Sequence, residues 1–284
     1  MDTLSDRSIA LLHYSCPPVI GGAEFILEAH ARWLTRYGAD VHVLVGEGES
    51  FHDDIPVEAL PEIGSEHPEK EKIHSALEGG NEKPFEQAVE NCKEILRPRL
   101  ESRNTWMIHN IFTMPFNLVA SQALHDLASE MDAEVFPWTH DIAWIDEKYH
   151  CPDQYPWDLL KTPHPEATYV AISRHRRNQL EQLFGPDYDK DIRVVHDAVE
   201  FDLFHELDPL MNEIYRKHEM YRDDIIAVYP ARIVRRKNFE LALRVVKGLK
   251  QLGNKIHFII TGPPDPHNQD SMEYFESLLE LREQ

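Results

Sequence analysis

The sequence predicts an α/β protein in which parallel strands alternate with helices in two successive, doubly wound domains. Short apolar runs typical of buried parallel strands alternate along the chain with stretches whose apolar residues recur at helical spacing. The chain has 284 residues, which is enough for about two domains. We expect one domain over residues 1–203 and a second, smaller one over residues 204–284.

The elements of the first domain are predicted from its apolar pattern. Residues from Phe25 to Leu34 recur at helical spacing, whereas the segment from Gly46 to Lys83 is polar and acidic. This segment predicts an irregular connection that contains one short helix. The predicted elements are a strand from Ser8 to Tyr14, a helix to Tyr37 with Gly38 as C-cap, a strand from Val41 to Val45, a helix from Phe85 to Leu96, a strand from Trp106 to His109 and a helix that starts at Pro115.

The second domain follows a predicted linker from Asp202 to Pro209. Its first strand, Ile225–Val228, is a short apolar run of the kind that is buried in a parallel sheet. Apolar residues at helical spacing from Leu241 to Leu249 predict the next helix. A strand from Ile256 to Ile260 and a helix from about Asp270 complete the pattern.

Composition and charge exclude several classes of function. A net charge of −21 argues against nucleic acid or an anionic membrane as the main partner. No apolar run approaches the roughly 18 residues of a transmembrane helix. The first residues, from Met1 to Asp6, are polar and acidic, unlike a secretory signal. Cys16, Cys92 and Cys151 are odd in number and unpatterned, so we expect a reducing, cytoplasmic location.

The stretch from Tyr229 to Asn238 joins a predicted strand to a predicted helix and is strongly basic. Free backbone N–H groups at a helix start favour an anion. Arg232 adds a bidentate fork and Lys237 a point charge, the usual pair for binding phosphate. The sequence therefore predicts a phosphate site here, although basic residues at a solvated helix start also fit the pattern.

A Gly-Gly pair opens the first predicted helix. Gly21 and Gly22 follow two prolines and precede Glu24. Glycine lets the backbone approach a ligand closely. A plain tight turn explains the pair equally well.

Two further candidates follow predicted strands. His140 and Asp141 come after the run Val135–Phe136, at the carboxyl edge where ligands bind in open α/β sheets. Because the chain has 17 histidines, position rather than residue type distinguishes His140. Ser173 and Arg174 follow another strand, where Ser173 is suited either to a ligand contact or to capping the next helix. Arg174, Arg176 and Arg177 are candidates for holding phosphate or are simply solvated.

These stretches, together with Val194–Glu200, resemble the motifs of the family 4 retaining glycosyltransferases of GT-B architecture, in the same chain order. Arg232 and Lys237 keep the places of the family's donor-phosphate Arg and Lys, whereas Ala231 and Asn238 replace its two glycines. In the last motif, Asp197 and Ala198 stand where the family has Asn and Gly. The resemblance implies two Rossmann-like domains.

The resemblance also implies a function. A sugar would move from a nucleoside-diphosphate sugar to an acceptor hydroxyl with retention of configuration, with no cofactor and no obligatory metal. His140 would be the catalytic residue beside the reacting sugar. Arg232, Lys237, Gly21 and Gly22 would bind the donor diphosphate, and Ser173, Arg174 and Asp141 would contact phosphate or acceptor.

The family's donor domain continues beyond the part matched here, including a pair of glutamates that bind the donor. The resemblance therefore predicts that the second domain is incomplete, C-terminally truncated relative to the family. Three explanations stay open: a fragment of a longer enzyme, a second polypeptide that completes the domain, or a non-catalytic subunit.

Other functions are less well supported by the sequence. Another GT-B enzyme, such as a sugar-nucleotide epimerase, fits the fold, but nothing resembles that family's carboxylate set. An NAD-type domain is disfavoured because no Gly-x-Gly-x-x-Gly follows the first strand. His140, Asp141, His150 and Cys151 fit no standard zinc spacing, so we expect no metal site. The donor sugar, its base and the acceptor are not encoded in a readable pattern.

Overall fold

The chain divides into two compact units, residues 1–200 and residues 201–284. The predicted boundary at residue 203 and most of the predicted linker lie between residues 199 and 208, outside the described stretches. The computed structural model of the protein describes residues 4–66, 69–198, 209–264 and 269–282.

The first unit is built on a parallel sheet of seven strands in the order β3-β2-β1-β4-β5-β6-β7. Strand β1 lies inside the sheet, where Leu11 pairs with Val43 on one side and with Met107 on the other. The strands are β1 (Ser8–Ser15), β2 (Asp40–Glu47), β3 (Val57–Ala59), β4 (Thr105–His109), β5 (Glu134–Thr139), β6 (Val170–Ala171) and β7 (Arg193–Val194).

Helices pack against both faces of this sheet. Successive residues of a strand point to opposite faces, and Leu11 and Leu12 accordingly belong to two separate apolar clusters. The cluster that contains Leu11 includes Leu27 and Ala31 of the first helix. In the described part of this unit the α-helices are α1 (Gly22–Arg36), α2 (Lys70–Glu78), α3 (Lys83–Leu100), α4 (Leu118–Glu130) and α5 (Arg174–Phe184).

The segment from Gly46 to Lys83 is more regular than the sequence predicts. Besides the one expected helix, α2, it contains the edge strand β3, in which Val57 pairs with Val43 of β2. A strand of three residues is too short to show an alternating pattern, so its partner in the sheet is what reveals it.

Two helix predictions are wrong in detail. Helix α4 begins at Leu118 rather than at Pro115, because the Asn117 side chain accepts a hydrogen bond from the Ala120 N–H at 3.0 Å and caps the helix. Phe25, predicted on the apolar face of α1, is 50% exposed. Ile26 of the same predicted face is buried, together with Leu27 and Ala31.

The second unit contains two parallel strands and a small core of Ile233, Phe239, Tyr274 and Leu278. Its described elements are α6 (Pro209–Lys217), β8 (Ile225–Tyr229), α7 (Phe239–Gln251), β9 (Ile256–Ile260) and α8 (Gln269–Arg282).

The apolar residues of this unit are less buried than predicted. Val228 of the strand expected to be buried is 54% exposed, and Leu241 and Val245 of α7 are 56% and 53% exposed. A two-stranded sheet offers little surface to cover them. No helix in the described stretches is long and apolar enough to cross a membrane.

Candidate functional site

The strand order of the first unit reverses between β1 and β4, because β2 and β3 lie on one side of β1 and the later strands on the other. In open α/β sheets, ligands bind at such a reversal, outside the carboxyl ends of the strands. His13 lies near the end of β1, His109 ends β4, and His140 directly follows β5. This edge of the sheet is the candidate site.

Four histidines are connected at this edge and are named here the histidine cluster: His13, His30, His109 and His140. The Nδ1 atom of His109 lies 3.0 Å from Nε2 of His140, and its Nε2 atom lies 3.4 Å from Nδ1 of His30 on α1. His13 Nδ1 lies 2.9 Å from the carbonyl oxygen of His109. Trp138 stacks on His109 with ring centres 5.8 Å apart. Hydrogen bonds and ring contacts therefore both fix the cluster.

Burial keeps three of these histidines neutral. Desolvation lowers the pKa of the fully buried His109 well below its ordinary value, and the neighbouring histidines lower it further. Desolvation also lowers the pKa of His30 to about 4. For His13, desolvation lowers the pKa, and the His109 carbonyl and Glu24 partly oppose the shift. At neutral pH each of these rings carries one N–H donor and one acceptor nitrogen.

Asn110, the residue after β4, holds the loop that carries His140. Its side-chain oxygen accepts hydrogen bonds from the backbone N–H groups of His140 at 2.9 Å and Asp141 at 3.1 Å. Its own N–H donates to the Trp138 carbonyl at 2.9 Å. Asn110 is buried with a φ of 61°, in the left-handed region that asparagine tolerates better than most residues. The end of one strand thus fixes the loop that follows its neighbour.

His140 lies at the end of β5, as the sequence predicts, but its ring is buried. Only 6% of the residue is exposed, and Nε2 faces inward to His109. Its Nδ1 atom lies 3.6 Å from Oδ2 of Asp197, which is longer than a hydrogen bond. The Nδ1 edge is therefore the part of the ring that faces a group outside the histidine cluster.

The other residues predicted near His140 differ in what they contact. The exposed carboxylate of Asp141 lies 3.4 Å from Nη2 of Arg176. The Ser173 hydroxyl accepts a hydrogen bond from the Arg176 N–H at 3.1 Å, so the capping interpretation is confirmed. Arg174 is exposed and lines a surface pocket together with Arg177. Arg176, rather than Arg174, is the arginine beside Asp141.

The Gly-Gly turn opens α1 near the same edge. Gly21 is extended, with φ of −163°, and a Cβ atom on it would lie 2.0 Å from Oε2 of Glu24. A Cβ atom on Gly22 would meet nothing within 4 Å. The Glu24 carboxylate also accepts a hydrogen bond from the Ser15 hydroxyl at 2.8 Å. A side chain at residue 21 would therefore displace the Glu24 carboxylate, whereas the space beside Gly22 is open.

In the second unit, the basic turn between β8 and α7 carries four cationic side chains. Arg235 pairs with Asp270 at 2.9 Å and lies over the Tyr274 ring at 5.0 Å from its centre. Arg235 is therefore committed to a structural contact. Arg232 and Lys237, the two residues that the sequence assigns to phosphate, are exposed.

Residues 230–238 connect β8 to α7, as the sequence predicts, but not all of the N–H groups at the helix start are free. The Phe239 N–H donates to the hydroxyl of Tyr274 at 3.0 Å. The Leu241 N–H donates to the Asn238 side chain at 3.3 Å. Two of the first N–H groups of α7 are thus engaged, and an anion at this turn would depend mainly on cationic side chains.

The structure accounts for Asn238, one of the two residues that replace glycine in this turn. Asn238 has a φ of 51°, a left-handed conformation that asparagine adopts when glycine is absent. Ala231 lies with its carbonyl against Gly262, where a Cβ atom would come within 2.2 Å of that oxygen. The glycine at residue 262 therefore allows the two backbones to approach each other closely.

Sequence reasoning missed four residues of this site: His13, His30, His109 and Asn110. His109 ends a buried strand and Asn110 follows it, the same signal that identified His140. His30 lies in the middle of α1, where nothing in the local pattern distinguishes it. Among the described residues, no group of three or more His, Cys, Asp or Glu is arranged to hold a metal ion, and this includes the four weighed as zinc ligands.

No protein-family model matches the chain. The chain is similar to the mannosylglucosylglycerate synthase of Thermotoga maritima, with 24% identity over 257 residues, and to that of Petrotoga mobilis, with 25% identity over 254 residues. Each match covers 86% of this chain and 57% of the relative. The chain thus spans little more than half the length of these relatives.

Solved structures share its fold. A sucrose-phosphate synthase from Thermosynechococcus elongatus has a TM-score of 0.62 at 12% identity and is matched over 98% of this chain and 68% of its own. WaaG, a glycosyltransferase involved in lipopolysaccharide biosynthesis, has a TM-score of 0.53 at 12% identity, over 97% of this chain and 68% of its own. An alpha-glucosyltransferase in complex with UDP-glucose and DNA containing an abasic site has a TM-score of 0.52 at 9% identity. The match covers 97% of this chain and 60% of that protein's chain.

These matches confirm the predicted fold class, an α/β chain of GT-B type. The similarity to glycosyltransferases predicted from the motifs is also confirmed. Membership of family 4 and the predicted truncation stay predictions.

Proposed function

We propose that this chain is a glycosyltransferase that moves a sugar from a nucleoside-diphosphate sugar to an acceptor hydroxyl with retention of configuration. The observation that carries the proposal is the loop after β5, in which His140 contacts His109 at the end of β4, beside the reversal of strand order. The resemblance places the residue beside the reacting sugar at this point. Similarity to mannosylglucosylglycerate synthases over 86% of the chain supports the same class of reaction.

The basic turn of the second unit fits the leaving group. As the bond between sugar C1 and the diphosphate oxygen breaks, its electron pair leaves with the diphosphate and negative charge grows there. The exposed Arg232 and Lys237 would bind this charge through a bidentate fork and a point charge. Stabilisation of developing charge is usually the largest single contribution to such catalysis.

The first unit fits the sugar and the acceptor. The Nδ1 edge of His140 would contact a sugar hydroxyl, and the open space beside Gly22 would admit a phosphate or an acceptor. The exposed Asp141 pairs with the partly buried Arg176 near His140, and this ion pair suits polar groups of a ligand. No step of this scheme requires a cofactor or a metal.

The names of the relatives suggest which substrates to test first. Their product contains mannose, glucose and glycerate. We therefore propose mannose or glucose as the transferred sugar and a glucosylglycerate-like compound as an acceptor.

The purified full chain is incubated with UDP- and GDP-linked glucose and mannose and with glucosylglycerate, and nucleoside diphosphate release and the glycoside product are measured. We expect transfer from one of these donors, and Arg232→Ala to lower kcat/KM about 10²- to 10³-fold. The matched control is Arg244→Ala, an exposed arginine on α7 outside the turn. Equal activity of Arg232→Ala and wild type would contradict the phosphate role.

A second candidate is a subunit whose donor site is completed by another polypeptide. It is favoured by the exposed apolar side chains of Val228, Leu241 and Val245 in the second unit. Transfer catalysed by the purified chain alone would rule out a requirement for a partner. The absence of transfer with every donor would contradict the first proposal and favour this one.

A further inference from the structure

Three imidazole rings of the histidine cluster form a row that ends at a carboxylate. His30 Nδ1 lies 3.4 Å from His109 Nε2, and His109 Nδ1 lies 3.0 Å from His140 Nε2. His140 Nδ1 then lies 3.6 Å from Oδ2 of Asp197. Both nitrogens of His109 therefore face a nitrogen of another histidine, and the protons along the row depend on one another.

Because His30 and His109 are neutral, a His140 ring that carries a single proton leaves two arrangements of the protons along the row. A neutral imidazole has one donor and one acceptor nitrogen, so each of the two contacts needs a proton on one side only. Either every proton points along the row toward Asp197, or every proton points away from it. In the second arrangement His140 would present an unprotonated Nδ1 to a carboxylate, so that two acceptors would face each other. The carboxylate therefore selects the first arrangement.

The rings have little freedom to leave this arrangement. His109 is fully buried and stacks on His140 with ring centres 5.3 Å apart and on Trp138 at 5.8 Å. The His13 ring donates to the His109 carbonyl rather than to a ring nitrogen, so it supports the row without joining it. Asn110 fixes the backbone of His140.

We propose that His109 is a positioning residue that holds His140 as the tautomer with its proton on Nδ1. The His140 Nε2 then accepts a hydrogen bond from His109 Nδ1, and His109 Nε2 accepts one from His30. This inference rests on the proposed function, because it assigns the Nδ1–H of His140 to a hydroxyl oxygen of the bound sugar. The 3.6 Å between Nδ1 and Asp197 leaves that proton without a short hydrogen bond in the row. A sugar hydroxyl that accepts it can donate its own proton to Asp197.

The tautomer is measured directly on the full chain labelled with ¹⁵N-histidine, by two-bond ¹H–¹⁵N correlation at neutral pH. We expect His140 Nδ1 to be protonated and His140 Nε2 to have the shift of an unprotonated nitrogen. A protonated Nε2 on His140 in the wild type would overturn the proposal without reference to any activity.

Two variants separate positioning from packing. His109→Phe keeps a ring for stacking but removes both hydrogen bonds, so the His140 tautomer is expected to become mixed or to reverse. His109→Gln keeps an amide donor and an amide acceptor and is expected to restore the wild-type tautomer. His125→Phe is the matched control, because His125 is a buried histidine that contacts Phe112 and His164 instead of this row. Thermal unfolding verifies that each variant folds, and a His109→Phe variant with the wild-type tautomer would contradict the proposal.

Transfer activity gives the second readout. For the donor found in the assay above, His109→Phe is expected to lower kcat about 10- to 100-fold while KM for the donor changes little, the typical cost of removing a group that orients a functional histidine. His109→Gln should recover most of this loss. If wild type transfers sugar and His109→Phe transfers equally well with an altered tautomer, the positioning role is wrong although the proposed function stands. If wild type has the expected tautomer and transfers nothing, the proposed function fails instead.

Discussion

The two units use the same residue in the same backbone conformation for different purposes. Asn110 follows β4 of the first unit with a φ of 61°, and Asn238 precedes α7 of the second unit with a φ of 51°. Asn110 is buried, and its side chain accepts two hydrogen bonds from the loop after the neighbouring strand. Asn238 is exposed, and its side chain caps the helix that it begins.

The difference separates two ways of building a candidate ligand site. Around Asn110 the structure fixes His140 through long-range contacts, and the groups are buried. Around Asn238 the fixed part is local, and the candidate ligand groups Arg232 and Lys237 are exposed cations. A reacting sugar needs the first kind of precision, because a group must point at one atom. A diphosphate is bound well by the second kind, because its charge is spread over several oxygens.

The largest expected difference between the two regions is in their response to acid. The ordinary histidine pKa is 6.5, and burial lowers that of His30 to about 4 and that of His109 well below 6.5. As pH falls below 6.5 the unfolded chain binds protons that the folded first unit does not. The free energy of unfolding then falls by about 1.4 kcal/mol per pH unit for each such histidine, down to the folded pKa.

Urea unfolding at pH 7 and pH 5, followed by tryptophan fluorescence, checks this prediction. All five tryptophans lie in the first unit, so the signal reports that unit alone: Trp33, Trp106, Trp138, Trp144 and Trp157. Hydrogen bonds to Arg99 and Arg97 lower the pKa values of Glu58 and Glu130 from 4.5. The stabilising contributions of these two carboxylates are therefore lost only at lower pH. Equal unfolding free energies at pH 7 and pH 5 would contradict the neutral state of the histidines.

Next in size is the effect of Asn110→Ala, which we expect to destabilise the first unit by about 2–4 kcal/mol. It leaves the buried N–H of His140 and the partly buried N–H of Asp141 without an acceptor and places an alanine in the left-handed region. Asn110→Gly also loses the hydrogen-bond acceptor, but glycine adopts the left-handed conformation readily. We therefore expect Asn110→Gly to be less destabilising than Asn110→Ala. Chemical denaturation of the three proteins gives the values, and an Asn110→Ala variant as stable as wild type would remove the basis for the comparison.

His125→Phe changes the free energy of unfolding of the first unit. We expect this change to be about 2 kcal/mol more favourable to the folded state at pH 5 than at pH 7. Desolvation lowers the pKa of His125 to about 3, so this histidine contributes to the acid response. Its Nε2 atom has no hydrogen-bond partner among the described residues, and its ring lies 4.1 Å from that of Phe112. The same urea experiment tests the variant. An unchanged pH dependence would show that the acid response arises elsewhere.

The smallest effect belongs to Asn238→Gly, because glycine adopts the left-handed conformation and costs only a few tenths of a kcal/mol at an N-cap. Asn238→Ala is expected to cost about 1 kcal/mol or more, since it loses both the cap and the favourable conformation. Hydrogen exchange of residues 239–251 follows the helix in both variants. A glycine variant that opens the helix as much as alanine would mean that the cap matters more than the conformation.

The same two asparagines show which features can be predicted from the sequence and which cannot. Position 238 was identified from a motif, and its replacement of glycine is a local matter of backbone conformation. Asn110 was not identified, because its role depends on a loop 30 residues away, brought beside it by the pairing of β4 with β5. The strands β1, β2 and β4 were predicted from apolar runs, since burial on both faces leaves a clear pattern.

The features of the fold and of the candidate site that the sequence does not predict depend on tertiary packing. The edge strand β3 has three residues and no pattern of its own, and the buried face of α1 is chosen by what it packs against. His140 was placed correctly at the end of β5, but its inward-facing Nε2 follows from His109 and His30, which lie in other elements. A sequence pattern locates the end of a strand but does not give the direction of a side chain there.

The measurement that tests the account most directly is ¹H NMR of the full chain incubated with an α-linked nucleoside-diphosphate sugar from the panel and glucosylglycerate. The account predicts a new anomeric signal of an α-linked product, formed together with free nucleoside diphosphate and strongly reduced in Arg232→Ala. A β-linked product would contradict retention of configuration. A donor that is epimerised without an acceptor would contradict transfer and indicate an epimerase.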